Sequence, residues 1–275
     1  MKDPCERCIE YDLCKNKTPC KRKEAYARWK LKCKEIREHT LEIMAEQRSK
    51  RMDEKKEIIN HIRSIAGRYS EYEVFVDWIR CGALAISNAV TPFRGKVWKE
   101  REKTYMDTIN RYTKEEQKIF SKMFALLTLA LEKEMGDVLG DIYMTSSMGS
   151  KAAGQFFTPY HLSKLCADLV ALEPDGTGRY RINEPSCGGG GMIIAVAAAL
   201  RDRGVDYQRK MDVVAQDIDI KSVYMCYLQL SLLGIKAVCV QGDTLKEAYI
   251  NDYSLYCVLH TPAKMGEMAW MTRRG

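Results

Sequence analysis

Between Arg181 and Met192 the chain reads Arg-Ile-Asn-Glu-Pro-Ser-Cys-Gly-Gly-Gly-Gly-Met. A short extended stretch ends in a carboxylate, Glu184, and a run of glycines from Gly188 to Gly191 leads into an alanine-rich apolar stretch. Chemically this sets an acceptor beside bare backbone. Glycines reach positive φ and let a ligand lie against the main chain, and the first N–H groups of a following helix have no partner within it. Strand–turn–helix corners of this kind hold nucleotide-like ligands at the carboxyl ends of α/β strands. The spacing is not the dinucleotide fingerprint, because the third glycine would fall on Ile193. Two further carboxylates close strand-like runs: Asp217 after Val213-Val-Ala-Gln, and Asp243 after Ala237-Val-Cys-Val-Gln-Gly. An acid ending the second strand is where such folds hold a pair of ribose hydroxyls.

Those acids need elements to aim them. Met192 to Leu200 and Lys221 to Leu233 read as helices, the second stopped by Gly234. Tyr253 to Leu259 reads as a fourth strand, and all four strands are expected to be parallel. Upstream, Gly154-Gln-Phe-Phe-Thr-Pro-Tyr160 precedes Leu162, Leu165, Cys166, Leu169 and Val170 at helical spacing. This predicts an amphipathic helix with Thr158 as its N-cap and Pro159 at its first position. Strands alternating with helices make an α/β fold.

In their order, Gly154-Gln-Phe-Phe-Thr-Pro159, Glu184-Pro-Ser-Cys-Gly188, Ala215-Gln-Asp-Ile-Asp219 and Gly242-Asp-Thr-Leu245 resemble the N6-adenine DNA methylases of type I restriction-modification systems. Asp137-Val-Leu-Gly-Asp-Ile-Tyr143 is similar to a stretch of theirs too. The likeness covers roughly residues 70–265. It implies a Rossmann-like, S-adenosylmethionine-dependent methyltransferase sheet preceded by an α-helical domain, acting on double-stranded DNA. It also implies roles: Phe157 and Thr158 contact the cofactor's methionine moiety. Glu184, Pro185 and the turn from Cys187 through Gly188 to Gly190 hold its amino-acid part and sulfonium side. Asp217 accepts from the ribose and Asp243 from the adenine amine.

The family's catalytic motif, Asn-Pro-Pro followed by an aromatic residue, accepts hydrogen bonds from the target amine and stacks on the extruded base. Here the matching positions are His260-Thr261-Pro262-Ala263. The resemblance therefore assigns catalysis to His260, Thr261 and Pro262, with a neutral imidazole able to accept one hydrogen bond. Ala263 cannot stack, an interaction worth about 1–3 kcal/mol per base. The sheet reads as shortened after its fourth strand, with that strand an open edge. Two readings follow: a specificity or second methylase subunit, or a homodimer, completes the sheet, or the chain is a shortened relative. The alternative to an active methylase is a catalytically impaired subunit that binds cofactor and DNA and needs a partner chain.

Of 275 residues 46% are apolar, enough for a sizeable core, and the net charge is +7. Residues 1–60 hold 17 Lys and Arg against 12 Asp and Glu, so most of the positive balance lies there. No apolar run of about 18 residues reads as a membrane span, and the charged N-terminus has no signal-peptide core. A cytoplasmic protein is expected, and its 11 cysteines are expected reduced. Cys166, Cys226, Cys239 and Cys257 fall in apolar patterns and are expected in the core. Cys5, Cys8, Cys14 and Cys20 lie within 16 residues and suit a tetrahedral structural zinc; an iron–sulfur cluster and unliganded thiols are the alternatives. The organisation expected is a cysteine knuckle at 1–20, a charged helical arm at 21–66, a helical domain at 67–150 and the cofactor-binding domain at 151–275. Arg94, Lys96, Lys99, Arg101 and Lys103 form a basic run in the helical domain, either a solvated face or a DNA-facing one.

Overall fold

The computed structural model describes residues 54–145, 156–170, 172–246 and 258–272. The four N-terminal cysteines, most of the charged arm, Gly154, Gln155 and Tyr253 to Cys257 lie outside the described residues.

Five helices come first: α1, helical over residues 54–65, α2 (Glu71–Val90), α3 (Lys96–Ile109), α4 (Lys114–Lys133) and α5 (Val138–Thr145). Their boundaries follow from capping chemistry. Ser70 and Glu73 close a reciprocal capping box at the start of α2, and Thr113 and Glu116 do the same for α4. Asp77, 2% exposed, ties this layer together by accepting from Arg80 (2.8 Å), Arg111 (2.6 Å) and the Tyr112 hydroxyl (2.9 Å). Val74, Val76, Trp78, Ile79 and Leu84 of α2 and Phe120, Met123, Leu127 and Leu131 of α4 are buried, while Phe124 is half-buried.

There follow α6 (Tyr160–Leu169), β1 (Tyr180–Glu184), α7 (Gly191–Asp202), α8 (Tyr207–Lys210), β2 (Met211–Asp217), α9 (Ile220–Leu232), β3 (Lys236–Gln241), β4 (Val258–His260) and α10 (Pro262–Thr272). The sheet order is β1-β2-β3-β4. β1, β2 and β3 are parallel, joined through α7 and α9 because parallel neighbours need a crossover connection. This is the Rossmann-like α/β sheet that the sequence pointed to, with its helical layer ahead of it. One continuous core runs from Ile58 to Leu259 through helices and sheet alike. Val238, Val240 and Val258 make a second cluster. The alternation of β3 puts it on the face opposite Ala237 and Cys239.

The expected parallel fourth strand is corrected. β4 runs antiparallel to β3, with Val240 opposite Val258 and Val238 opposite His260. An antiparallel neighbour needs no crossover, since the chain enters at the end of the sheet that β3 has just left. β4 is the last strand of the sheet, and its three residues are buried. Its outward carbonyls are taken: Val258 by the Arg101 guanidinium (2.6 Å) and His260 by the Tyr227 hydroxyl (3.1 Å). Arg101 thereby leaves the basic run; it is 4% exposed and also donates to the Ser87 hydroxyl.

The helix at 160–169 buries the side opposite to the one its pattern suggested. Ser163 and Ala167 are its buried residues, whereas Leu165, Cys166, Leu169 and Val170 are exposed. Two small residues let α6 lie closely on the alanine-rich α7, and large side chains at that contact would hold the helices apart. Cys226 and Cys239 are buried as expected. Thr158 is not the cap either. Helical geometry begins after Pro159 with no side-chain cap, which leaves the Thr158 side chain to the cavity described next.

Candidate functional site

The turn after β1 is built around Asp217. Gly188 N–H donates to Asp217 Oδ2 (2.9 Å), and Asp219 N–H donates to Oδ1 (2.9 Å). Cys187 N–H donates to the Gln216 carbonyl and Gly190 N–H to the Cys187 carbonyl, each at 2.8 Å. The loop after β3 locks onto both: Gly242 N–H donates to the Asp217 carbonyl (3.0 Å), and the Thr244 hydroxyl to the Pro185 carbonyl (2.8 Å). Gly188 and Gly190 have φ of 50° and 93°, so a side chain at either would be strained. A Cβ on Gly188 would also stand 2.8 Å from the Phe157 ring. Gly190 ends the turn as the N-cap of α7, and no side chain caps the helix.

These elements surround a cavity of about 500 Å³. Phe157, Thr158, Glu184, Cys187, Gly188 and Asp217, all expected at a site, line it together with Phe156, Ser186, Gly189, Gly191 and Met192. Phe157 is held from behind by Tyr143, with ring centroids 5.2 Å apart. Glu184 Oε1 accepts from Ser186 N–H at 3.2 Å. The Cys187 thiol hydrogen-bonds the Cys226 thiol, which with burial raises its pKa well above the ordinary thiol value. It is a neutral filler rather than a nucleophile.

Other expected site residues stand elsewhere. Pro185 and Gly190 shape the turn without lining the cavity, and Asp243 pairs with Lys246 (3.2 Å) and accepts from Leu245 N–H (3.0 Å). His260, Thr261 and Pro262 are not brought to the cavity. They belong to the far edge of the sheet, three strand spacings from β1, about 14 Å at roughly 4.8 Å each. Thr261 Oγ1 donates to the Ile235 carbonyl (2.7 Å) and accepts from Ala237 N–H (2.9 Å), stitching β4 to the start of β3. Pro262 is the first residue of α10, where a missing N–H is harmless. His260 is buried, and desolvation, reinforced by the charges of Arg101 and Lys264, lowers its pKa to about 4.

Sequence reasoning passed over Asp137, Ser163 and Ser222, which also line the cavity. The available signal for Asp137 was its place at the head of Asp137-Val-Leu-Gly-Asp-Ile-Tyr143, an acid against an apolar run. Among the described residues no group of three or more His, Cys, Asp or Glu is placed to hold a metal ion. None of the described helices is long and apolar enough to cross a membrane.

Residues 134–264, just under half of the chain, match the N-6 DNA Methylase family. No curated protein matches the chain. Among solved structures, one similar chain is described as a class I S-adenosylmethionine-dependent methyltransferase from Listeria monocytogenes, with 14% identity and a TM-score of 0.45. That match covers 72% of this chain and 56% of the other. Another is the type I restriction-modification system methyltransferase subunit from Streptococcus thermophilus, with 13% identity and a TM-score of 0.38, covering 74% of this chain and 61% of that one. The chain thus spans less than two thirds of the length of either. The likeness to N-6 DNA methylases, carried by the motifs, is borne out over residues 134–264, the segment that holds the sheet, the glycine turn and the cavity.

Proposed function

We propose that the chain binds S-adenosylmethionine in this cavity and serves methyl transfer to the N6 amine of adenine in double-stranded DNA. The observation that carries the reading is the glycine turn fastened by Gly188 N–H to Asp217, within the segment that matches the N-6 DNA methylases. The residues fit the group. The volume falls in the roughly 300–1,000 Å³ of small-molecule sites. Each Asp217 oxygen keeps acceptor capacity beyond its one backbone donor, and Phe157 offers a ring beside the bare backbone of Gly188. When bound, the cofactor supplies an electrophilic methyl group on its sulfonium. The chain's own contribution is to orient that group and to exclude water from it, so catalysis is mainly positioning. The target adenine has to leave the duplex first, as for any enzyme acting on a base edge.

One observation favours a second reading, a cofactor- and DNA-binding subunit that works with a specificity or second methylase subunit: the position of His260, Thr261 and Pro262 at the sheet edge away from the cavity. Transfer of a labelled methyl group from S-adenosylmethionine to unmethylated duplex DNA, with the product nucleoside identified, separates the two. N6-methyladenine supports the first reading. No transfer, with cofactor binding verified in the same preparation, supports the second, and absence of cofactor binding contradicts both.

A further inference from the structure

Among the described residues, Asp137 is the carboxylate of the cavity wall to which the resemblance gives no role. It is 3% exposed, at the head of α5, and it lines the cavity from beneath the glycine turn. A Cβ on Gly189 would meet its Oδ1 at 2.8 Å, and one on Gly191 would meet its Oδ2 at 3.0 Å. Two glycines of the run are therefore accounted for by this carboxylate's close approach rather than by backbone conformation. Both of its hydrogen bonds land on Oδ1, from Gly140 N–H and from the Gln229 amide, each at 2.8 Å. The same Gln229 amide donates to the Gly189 carbonyl (2.7 Å), so Oδ1 is fixed relative to the turn. Among the described residues no hydrogen bond reaches Oδ2. Burial raises the carboxyl's pKa, a cost that a cationic partner would offset. A second buried polar group in the cavity wall matches it in opposite sense: Ser163 Oγ has no hydrogen-bond partner among the described residues.

We propose that Asp137 Oδ2 accepts a hydrogen bond from the primary ammonium of the bound ligand while Ser163 Oγ donates to its carboxylate, so that the cavity recognises the α-amino-acid end of the cofactor. This rests on the S-adenosylmethionine reading. A buried carboxylate with one oxygen held and the other unclaimed is an acceptor prepared for a cation. A buried hydroxyl with no acceptor is a donor prepared for an anion. An amino-acid zwitterion presents both.

The test uses the full chain and two ligands, S-adenosylhomocysteine and 5′-deoxy-5′-methylthioadenosine, which keeps the nucleoside and thioether but lacks the amino-acid end. Asp137→Asn retains an oxygen for Gly140 and Gln229 and converts only the Oδ2 position into a donor. It is expected to weaken S-adenosylhomocysteine roughly 10- to 100-fold and to leave methylthioadenosine unchanged. Ser163→Ala is expected to show the same selectivity with a smaller loss. Equal losses for both ligands, or none, overturn the proposal and leave Asp137 as a support of the turn. Should Asp137→Asn not fold, the wild-type chain decides the point with S-adenosylhomocysteine against its deaminated analogue, for which at least tenfold weaker binding is expected and equal binding overturns it. A wild-type chain that binds neither nucleoside overturns the cofactor reading, and the proposal with it, whereas loss of selectivity alone overturns only the proposal.

Discussion

Each oxygen of Asp217 accepts one backbone N–H, from Gly188 and from Asp219, and each keeps capacity for a ligand hydroxyl. A charge-assisted hydrogen bond contributes about 1.5–3 kcal/mol. Asp217→Ala is therefore expected to weaken S-adenosylhomocysteine binding by roughly 10- to 100-fold by calorimetric titration, and an unchanged affinity would remove Asp217 from the site. His260 makes a different kind of prediction. Its pKa in the fold is about 4 against an ordinary 6.5, with desolvation the chief cause. The unfolded chain therefore binds the extra proton, and the fold loses stability as pH falls from 6.5 to 4, with no such loss above 6.5. The full loss is roughly 3 kcal/mol at 1.36 kcal/mol per pH unit. His260→Gln should flatten the difference in urea midpoint between pH 7 and pH 4.5; equal slopes for variant and wild type would detach the imidazole from the effect. At this scale the sequence was informative about Glu184, Cys187, Gly188 and Asp217, because strand ends and glycine turns leave a local pattern. Asp137 left little, since its position beneath the turn depends on a contact with Gln229, 92 residues away.

The elements divide along the same physical line. β1, β2 and β3 and the helices between them were legible, because a strand ending in an acid and a helix ending at Gly234 are local signals. The direction of β4 was not legible. An apolar run such as Val258-Leu-His260 suits either orientation, and the choice depends on which end of the sheet the chain enters. The buried side of α6 was misread because its apolar stripe outnumbers Ser163 and Ala167, whereas closeness to α7 favours small side chains. The antiparallel β4 also bears on the catalytic positions. Thr261 and Pro262 join β4 to α10, and Thr261 Oγ1 closes two hydrogen bonds to the start of β3. Rebuilding the family motif here by combining His260→Asn, Thr261→Pro and Ala263→Phe is thus expected to confer no methyl transfer. It should instead lower stability by about 1–3 kcal/mol through the lost Thr261 bonds. Activity gained by the triple variant over a silent parent would show that this edge does serve the reaction.

Among the described residues from 54 onward the helical layer and the sheet share one core, which passes from Ile58 through Trp78, Leu127 and Tyr143 into Cys226 and Leu259 without a break. A charge network fastens α10 to the sheet: Arg179 pairs with Asp212 and Glu267, Lys236 with Glu267 (3.1 Å) and Lys264 with Asp212 (3.2 Å). The cavity instead lies against the carboxyl ends of β1 and β2, with Asp137 of the helical layer under it and Phe157 beside it. The helical layer thus supplies part of the site as well as support, which residue patterns taken segment by segment could not reveal. Every role proposed for the site requires cofactor binding in this cavity. The most direct measurement is a calorimetric titration of the full chain with S-adenosylhomocysteine, run beside Asp217→Ala. Saturable binding at one ligand per chain, weakened in the variant, is the predicted result. A wild-type chain that gives no saturable binding, or a variant that binds as tightly as the wild type, would contradict it.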